Sequence, residues 1–161
     1  VGIKILLAKK DSFIYSLHNC NCIFFLAAII FITQSTYGSN PFGILEIENN
    51  VISVELARTK EEQARGLMHR KSLGKYDGML FIYKNKKTLC MWMRNTSIPL
   101  TVLFIDEKGY VLEMRDMVPN TETPHCSENK VRFALEVETK WLKSTNIMLR
   151  SRITNLNSVD N

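Results

Sequence analysis

The sequence predicts a mostly β domain, a small antiparallel sandwich or barrel-like fold with one or two short helices. Short apolar runs are separated by turn residues throughout residues 39–161. Two of these turns join neighbouring runs into hairpins. No regular alternation of strands with long helices is present, so a parallel α/β fold is not indicated. A chain of 161 residues is long enough for one domain and not comfortably for two.

The first 38 residues are predicted to be a signal peptide rather than part of that domain. Three lysines lie within the first ten residues, and an uninterrupted apolar run of eleven residues follows over 22–32. Thr36 and Gly38 fit the small-residue positions of a cleavage site. We therefore expect export to the periplasm or the extracellular space. The alternative is a retained membrane anchor through residues 22–32, although a spanning helix needs about 20 apolar residues.

The charge pattern argues against a nucleic-acid partner. Residues 39–161 hold 18 basic and 15 acidic residues, a net charge of +3, and the two signs are interspersed.

Residues 39–161 contain only two cysteines, Cys90 in an apolar run and Cys126 in a polar stretch. They could pair in an oxidising compartment. We favour two free thiols, at least one of them buried.

The first elements are predicted from alternation and capping. Apolar residues alternate over 44–48 and again over 51–57, on either side of an Asn-Asn turn, which predicts a β-hairpin. Thr59 and Glu62 form a capping-box pattern, so a short helix is expected over 60–65. Gly66 is well placed to end that helix.

The middle of the chain predicts two further strands and then a second hairpin. Residues 78–83 are a continuous apolar strand, and 88–94 read as another strand that is apolar on both faces and therefore central. Residues 102–105 and 110–114 flank an Asp-Glu-Lys-Gly turn and predict a hairpin.

The last third begins with a long loop over 116–131. A strand is expected over 133–137 and a short helix capped by Thr139 through Lys143. A final strand is predicted over 147–153.

Several segments together resemble one family. These are Gly66-Leu67-Met68-His69-Arg70, Gly78-Met79-Leu80-Phe81, Trp92-Met93-Arg94-Asn95-Thr96 followed by Ile98-Pro99-Leu100, and Leu135-Glu136-Val137. Their order and spacing resemble the "domain of unknown function 192" family over about residues 51–153. The resemblance implies a compact β-rich single domain, often exported, with no assigned activity. One departure is Thr101, where the family usually has an acidic residue. Another is the stretch 146–151, which lacks the family's Gly-Asp step.

The richest candidate site is the polar corner that follows the Trp92 strand. Arg94, Asn95 and Thr96 offer a cation, an amide and a hydroxyl beside the indole of Trp92. Such a set can hold a small anionic or carbohydrate-like ligand. The alternative is structural: Asn95 and Thr96 fix a turn, and Arg94 pairs with a carboxylate such as Glu136.

Arg70 and Glu136 form a second candidate. Each lies in an apolar stretch, where a buried charge needs a partner. A structural ion pair between them is expected, and a pocket lined by both residues is the alternative. Arg70 and Glu136 therefore join Trp92, Arg94, Asn95 and Thr96 as candidate ligand-binding residues.

No catalytic or metal-binding pattern stands out, and no cofactor is predicted. Met91, Met93, His125 and Cys126 are types of side chain that suit copper(I), although methionine is more often core filler. We expect a non-enzymatic exported module that binds a small polar ligand or an envelope protein. A membrane contact is expected only through residues 22–32, if the leader is retained. The alternatives are an envelope hydrolase and a structural domain that assists envelope assembly.

Overall fold

The computed structural model describes residues 41–160, which contain eight strands and three short helical segments. The strands are β1 Phe42–Ile47, β2 Asn50–Ala57, β3 Gly78–Lys87, β4 Cys90–Met91, β5 Leu100–Ile105, β6 Val111–Met117, β7 His125–Cys126 and β8 Val131–Glu138. The helices are α1 Lys60–Arg65, α2 Thr139–Leu142 and the 3₁₀ turn Leu156–Ser158. The predicted signal peptide and the apolar run 22–32 lie outside the described residues.

Six strands form one sheet in the order β1-β2-β3-β8-β5-β6, and β4 pairs with β7 in a separate two-stranded sheet. The predicted mostly β fold is confirmed, but the sheet is mixed rather than purely antiparallel as expected, and it does not close into a barrel. One pair, β2 and β3, is parallel, because the chain between them crosses back over the sheet through α1. The other neighbouring pairs are antiparallel.

Both faces of the central strands are covered by apolar clusters. On β8, Leu135 belongs to one cluster and Ala134 to the other, as the two-residue period of a strand requires. One face packs against α2 and the C-terminal segment around Leu156. The opposite face packs against the segments 67–73 and 89–98, the second of which includes β4. The candidate site lies on this second face.

The local predictions for residues 42–66 are confirmed. β1 and β2 form the hairpin, with Ile47 opposite Asn50. In α1, the Thr59 side chain accepts from the Glu62 N–H, and the Glu62 carboxylate accepts from the Thr59 N–H. The helix ends at Gly66, whose φ of 47° lies in the region that glycine tolerates.

Two strand predictions are wrong. Residues 88–94 were expected to form a central strand, but only Cys90–Met91 is extended, and it pairs with β7 outside the main sheet. One face of this segment is exposed at Cys90, Trp92 and Arg94. No strand forms over 147–153, where Arg150 adopts a positive φ of 73° and only isolated bridges occur.

The prediction of two free thiols is also wrong. Cys90 and Cys126 lie directly opposite each other in β4 and β7, with their Cα atoms 3.9 Å apart, and they form a disulfide. Both residues are exposed. The pairing of β4 with β7, which the sequence did not reveal, brings the two sulfur atoms together.

Within residues 41–160, no helix has the length and apolar character needed to cross a membrane.

Candidate functional site

A glutamate lies in the middle of the apolar sheet face that is covered by the segments 67–73 and 89–98. Glu136 is on β8, between Met79 of β3 and Val102 of β5, and only 4% of its surface is exposed. Both cross-strand neighbours belong to the apolar cluster on this face. A carboxyl group in such surroundings is costly to bury unless something compensates for the water it has lost.

Within residues 41–160, no group forms a hydrogen bond or an ion pair with the Glu136 carboxyl. None of the fully buried side-chain oxygen or nitrogen atoms in this region lacks a partner. The carboxyl oxygens of Glu136 are therefore not sealed in the core. They reach the cavity that this residue lines.

The second buried glutamate shows the ordinary arrangement. Glu113 is 6% exposed, and its carboxylate accepts from the N–H groups of Glu128 and Asn129 and from the Asn129 side chain. Arg115 completes the set with an ion pair. Although desolvation by burial opposes ionisation, these bonds keep the pKa of Glu113 below its usual value. Glu136 has no such support.

Burial without a partner has a direct electrostatic consequence for Glu136. Desolvation disfavours the charged form and raises the pKa of Glu136 to about 8. At neutral pH this carboxyl is therefore mostly protonated. The pKa of Tyr83, which lines the same cavity, is raised by burial and by the charge of Glu136.

The cavity above Glu136 has a volume of about 280 Å³, just below the range of about 300–1,000 Å³ typical of ligand pockets. It is bounded by α1, β3, β8 and the segment around β4. Apart from Glu136, its buried or half-buried lining is mainly apolar, aromatic or thioether, with Gln63 and Thr96 as polar additions. These lining residues are Gln63, Gly66, Leu67, Met68, Phe81, Tyr83, Met91 and Thr96.

The mouth of the cavity is basic. Lys60 and Arg65 of α1 and Lys87 of β3 line it, and all three are exposed. None of them forms an ion pair with a residue in the described part of the chain. The Lys87 ammonium lies 4.4 Å from the ring centroid of Tyr83. Among the described residues that line the cavity, Glu136 is the one acid.

Four of the six predicted site residues lie close together in the sequence, between Trp92 and Thr96. They differ in whether they line the cavity. Trp92 is 47% exposed and lines the cavity. The Arg94 guanidinium stacks on its ring, with Cζ 5.1 Å from the centroid, but Arg94 itself does not line the cavity. Thr96 is buried and lines it. Asn95 adopts a positive φ of 52° in the turn, and its carbonyl accepts from the His69 N–H at 2.7 Å.

The expected ion pairs with Glu136 do not form. Arg70 forms a bidentate ion pair with Glu55 of β2, so the predicted ion pair between Arg70 and Glu136 is wrong. Arg94 stacks on Trp92 instead of reaching Glu136. The structure therefore places Trp92, Thr96 and Glu136 at one cavity, and places Arg70 away from it.

Sequence reasoning missed the part of the site that α1 supplies. Lys60, Gln63 and Arg65 all line the cavity, as does Lys87 from the end of β3. Lys87 belongs to a basic cluster that reads as a solvated loop. The available signal was the segment Gly66 to Arg70, which follows α1 directly and carries part of the family resemblance.

At position 101, where the family usually has an acid, a neighbouring carboxylate approaches the side chain. The Thr101 hydroxyl donates to Asp116 Oδ1 at 2.6 Å and lies 3.0 Å from the Thr139 hydroxyl. Lys143 donates to the other oxygen of Asp116 at 3.0 Å. The hydrogen bond from Thr101, aided by Lys143, holds the pKa of Asp116 below its usual value.

Residues 41–160 contain no cluster of three or more His, Cys, Asp or Glu side chains that could hold a metal ion. Cys126 is joined to Cys90, which removes its thiolate as a metal ligand or nucleophile in this state.

A second depression of about 670 Å³ lies near Tyr110 and Leu149. Neither this depression nor a smaller cavity of about 180 Å³ near Ser72 and Trp141 is lined by a buried acid without a partner.

Comparison with known families identifies the domain. The model of the DUF192 family, described as "Uncharacterized ACR", matches residues 43–154. The chain belongs to the DUF192 family. This match spans all eight strands except the first residue of β1, and it includes the cavity residues named above.

Two solved structures are similar to this DUF192 chain. One is a protein of unknown function from Novosphingobium aromaticivorans DSM 12444, with 31% identity and a TM-score of 0.65, covering 70% of this chain and 84% of that one. The other is a proposed transcription regulator from Sinorhizobium meliloti 1021, with 27% identity and a TM-score of 0.64, covering 72% of this chain and 96% of that one. None of the curated proteins matches this chain.

Proposed function

We propose that this DUF192 protein is an exported binding module that holds a small polar ligand in the cavity between Trp92, Thr96 and Glu136. The observation that carries the proposal is the buried carboxyl of Glu136, which faces a cavity and lacks a partner within residues 41–160. A carboxyl group that has lost most of its contact with water and has no protein partner is costly to folding, and a ligand that bonds to it recovers part of that cost.

Binding is favoured over hydrolysis by the composition of the cavity wall. A hydrolase needs a nucleophile with its base, or two carboxyl groups that share the work. Among the described residues lining this cavity there is one carboxyl group, Glu136, and no histidine. The Cys90 sulfur at the wall is held in a disulfide.

A DNA-reading role by analogy with the Sinorhizobium protein has little support. α1 has six residues and α2 has four, and neither is long enough to act as a recognition helix within residues 41–160.

The binding proposal is tested with a fluorescent reporter at the cavity. The chain has two tryptophans, and Trp141 packs on the other face of the sheet. A Trp141→Phe variant of the full chain therefore reports from Trp92 alone. Titration with millimolar amino acids, sugars, hydroxy acids and phosphorylated sugars is expected to give a saturable change in emission. The same compound is expected to raise the unfolding temperature, because it binds the native state.

A pair of substitutions on one helix supplies the control. Ala64 lines the cavity and is exposed, so Ala64→Phe is expected to block its mouth and abolish the response. Glu61 lies on the same helix and does not line the cavity, so Glu61→Phe is expected to leave the response intact. A panel that produces no saturable response, or a response that Ala64→Phe leaves unchanged, would reject the proposal.

Export is supported by the disulfide between Cys90 and Cys126, because such bonds persist in oxidising compartments. It is supported also by the leader pattern of residues 1–38. Intact-mass analysis of the protein produced from its full sequence in a bacterial host is expected to show loss of residues 1–38. It should also show the mass of an oxidised cysteine pair. A full-length, reduced protein in the cytosolic fraction would contradict this part of the proposal.

A further inference from the structure

The cavity separates its charges in a way that restricts the ligand. The single acid, Glu136, is buried at the inner end, whereas Lys60, Arg65 and Lys87 are exposed at the mouth. These three cations form no ion pairs with described residues. A ligand that satisfies both ends needs a group that bonds to a carboxyl inside and an anionic group outside.

We infer, on the basis of the proposed function, that the ligand is a small zwitterion. Its ammonium group reaches the Glu136 carboxylate, and its carboxylate or phosphate lies at the mouth against Lys60, Arg65 and Lys87. Amino acids and ω-amino acids are members of this class. The cavity volume of about 280 Å³ limits the ligand to a few carbon atoms between the two charges.

The aromatic lining suits an ammonium group better than it suits a second anion. Phe81, Tyr83 and Trp92 line the cavity, and the faces of aromatic rings attract cations. Tyr83 already has Lys87 at 4.4 Å from its centroid and Trp92 has Arg94 at 5.1 Å, so among the described residues Phe81 is the lining ring without a cation beside it. A hydrogen bond between an ammonium and a carboxylate is also about twice as strong as one between neutral groups.

The three cations at the mouth disfavour binding of a simple amine. Within the described lining residues, no acid lies near Lys60, Arg65 and Lys87 to offset their charge. An approaching cation without an anionic partner group meets repulsion from all three. An anionic group on the same molecule converts that repulsion into attraction and also raises the rate of encounter.

Binding of an ammonium group is coupled to loss of a proton. At pH 7 Glu136 carries its proton, because burial raises its pKa to about 8. The ammonium replaces that proton, which leaves to solvent, and one carboxylate–ammonium pair forms. Affinity is expected to rise about tenfold per pH unit below pH 8 and to level off above it.

Tyr83 of β3 is the titratable neighbour of Glu136 on the cavity wall. Its pKa is raised above its ordinary value of 10.0, so it stays neutral in that range. The basic groups that line the same cavity are Lys60 and Arg65 of α1 and Lys87 of β3. Val102 of β5 has no titratable group, and Cys90 of β4 is in the disulfide.

Calorimetric titration of the full chain tests the inference. The probes are 4-aminobutanoate and 6-aminohexanoate, with butanoate and hexanoate as matched acids that lack the amine. Each is titrated in PIPES and in imidazole, which buffer this pH range without adding phosphate and whose different ionisation enthalpies reveal proton release. The amino acids are expected to bind with release of about one proton near pH 6.5, and to bind about tenfold tighter at pH 7.5 than at pH 6.5. The matched acids are expected to bind more weakly and without proton release.

Substitution of the acid supplies the internal control. Glu136→Gln keeps the shape and is expected to weaken binding of the amino acids at least about thirtyfold, and to abolish proton release. Glu128→Gln, at a side chain that is 79% exposed, is expected to leave both unchanged.

The outcomes separate this inference from the proposal beneath it. If the matched acids bind as tightly as the amino acids, or if none of the four probes binds, the zwitterion inference is overturned. A response of Trp92 to another class of compound would then still support the binding function. If the reporter panel is also silent, both proposals fail.

Discussion

Glu136 has a different pKa in the folded and in the unfolded chain, so folding changes its protonation state. In the unfolded chain its pKa is near the ordinary 4.5, and in the folded protein it is about 8. Between these values the unfolded chain loses a proton that the folded protein keeps. Folding stability therefore falls as the pH rises through this window.

We predict that Glu136→Gln removes this pH dependence. At 1.36 kcal/mol per pKa unit, the wild type loses up to about 5 kcal/mol between pH 4.5 and pH 8. The variant is therefore expected to gain stability relative to wild type as the pH rises through this range. Urea unfolding at several pH values between 5 and 8 measures the difference. Parallel curves for the two proteins would show that Glu136 is not buried without a partner.

Gly66 is the element-scale feature that shapes one side of the cavity. It ends α1 with φ 47° and ψ −132°, a conformation that only glycine adopts readily. A Cβ atom at this position would also lie 3.3 Å from Cζ of Phe81. The local backbone and the cavity lining therefore depend on the absence of a side chain at Gly66.

We predict that Gly66→Ala destabilises the protein by about 1–3 kcal/mol and weakens ligand binding. Gly74→Ala is the matched control, because Gly74 has a positive φ of 69° but no atom within 4 Å of the added Cβ. It is expected to cost about 1 kcal/mol and to leave binding unchanged. Thermal unfolding and the Trp92 titration measure the two effects. Equal behaviour of the two variants would contradict a role for the Phe81 contact.

The two-stranded sheet of β4 and β7 is the second element that bounds the cavity. Each strand has two residues, and the disulfide between Cys90 and Cys126 closes a loop across a separation of 36 residues. Such a short pair gains little from its own hydrogen bonds. The covalent link therefore holds this part of the cavity wall in place.

We predict that the double variant Cys90→Ser/Cys126→Ser loses about 4 kcal/mol of stability, the chain-entropy value for a loop of this length. Urea unfolding under oxidising conditions measures the loss. Wild type treated with a reducing agent is expected to match the variant. If reduction leaves the unfolding midpoint of wild type unchanged, the link does not stabilise the fold.

At the scale of the whole molecule, the last residues complete the core and protect an exposed edge. Leu156 and Val159 are buried against the same cluster as β1 and β2. Asn155 bonds through its side chain to the backbone of Glu46 and Ile44 on edge strand β1. Asp160 forms a bidentate ion pair with Arg132 of β8.

We predict that deletion of residues 155–161 lowers stability by at least about 4 kcal/mol, although the DUF192 match ends at residue 154. Loss of the two buried side chains accounts for most of the effect. Asp160→Asn, which removes only the ion pair, is expected to cost about 1 kcal/mol. Urea unfolding of both variants gives the comparison. A deletion no more damaging than Asp160→Asn would show that the tail does not belong to the core.

The sequence by itself determined the features that neighbouring residues control. The β1–β2 hairpin follows from alternation around an Asn pair, and the capping box follows from Thr59 and Glu62. These interactions join residues a few positions apart, so their geometry can be predicted without knowledge of the rest of the chain. The segments that resemble the DUF192 family also indicated a β-rich domain, and the family model matches residues 43–154.

Only the tertiary structure decided which distant residues meet. The sequence indicated that Glu136 needed a partner, but not that Arg70 would take Glu55 and leave Glu136 facing a cavity. It did not show that β4 leaves the main sheet and brings Cys90 to Cys126. In each case the outcome depends on packing between segments far apart in the chain, where burial and hydrogen bonding compete over many possible pairings.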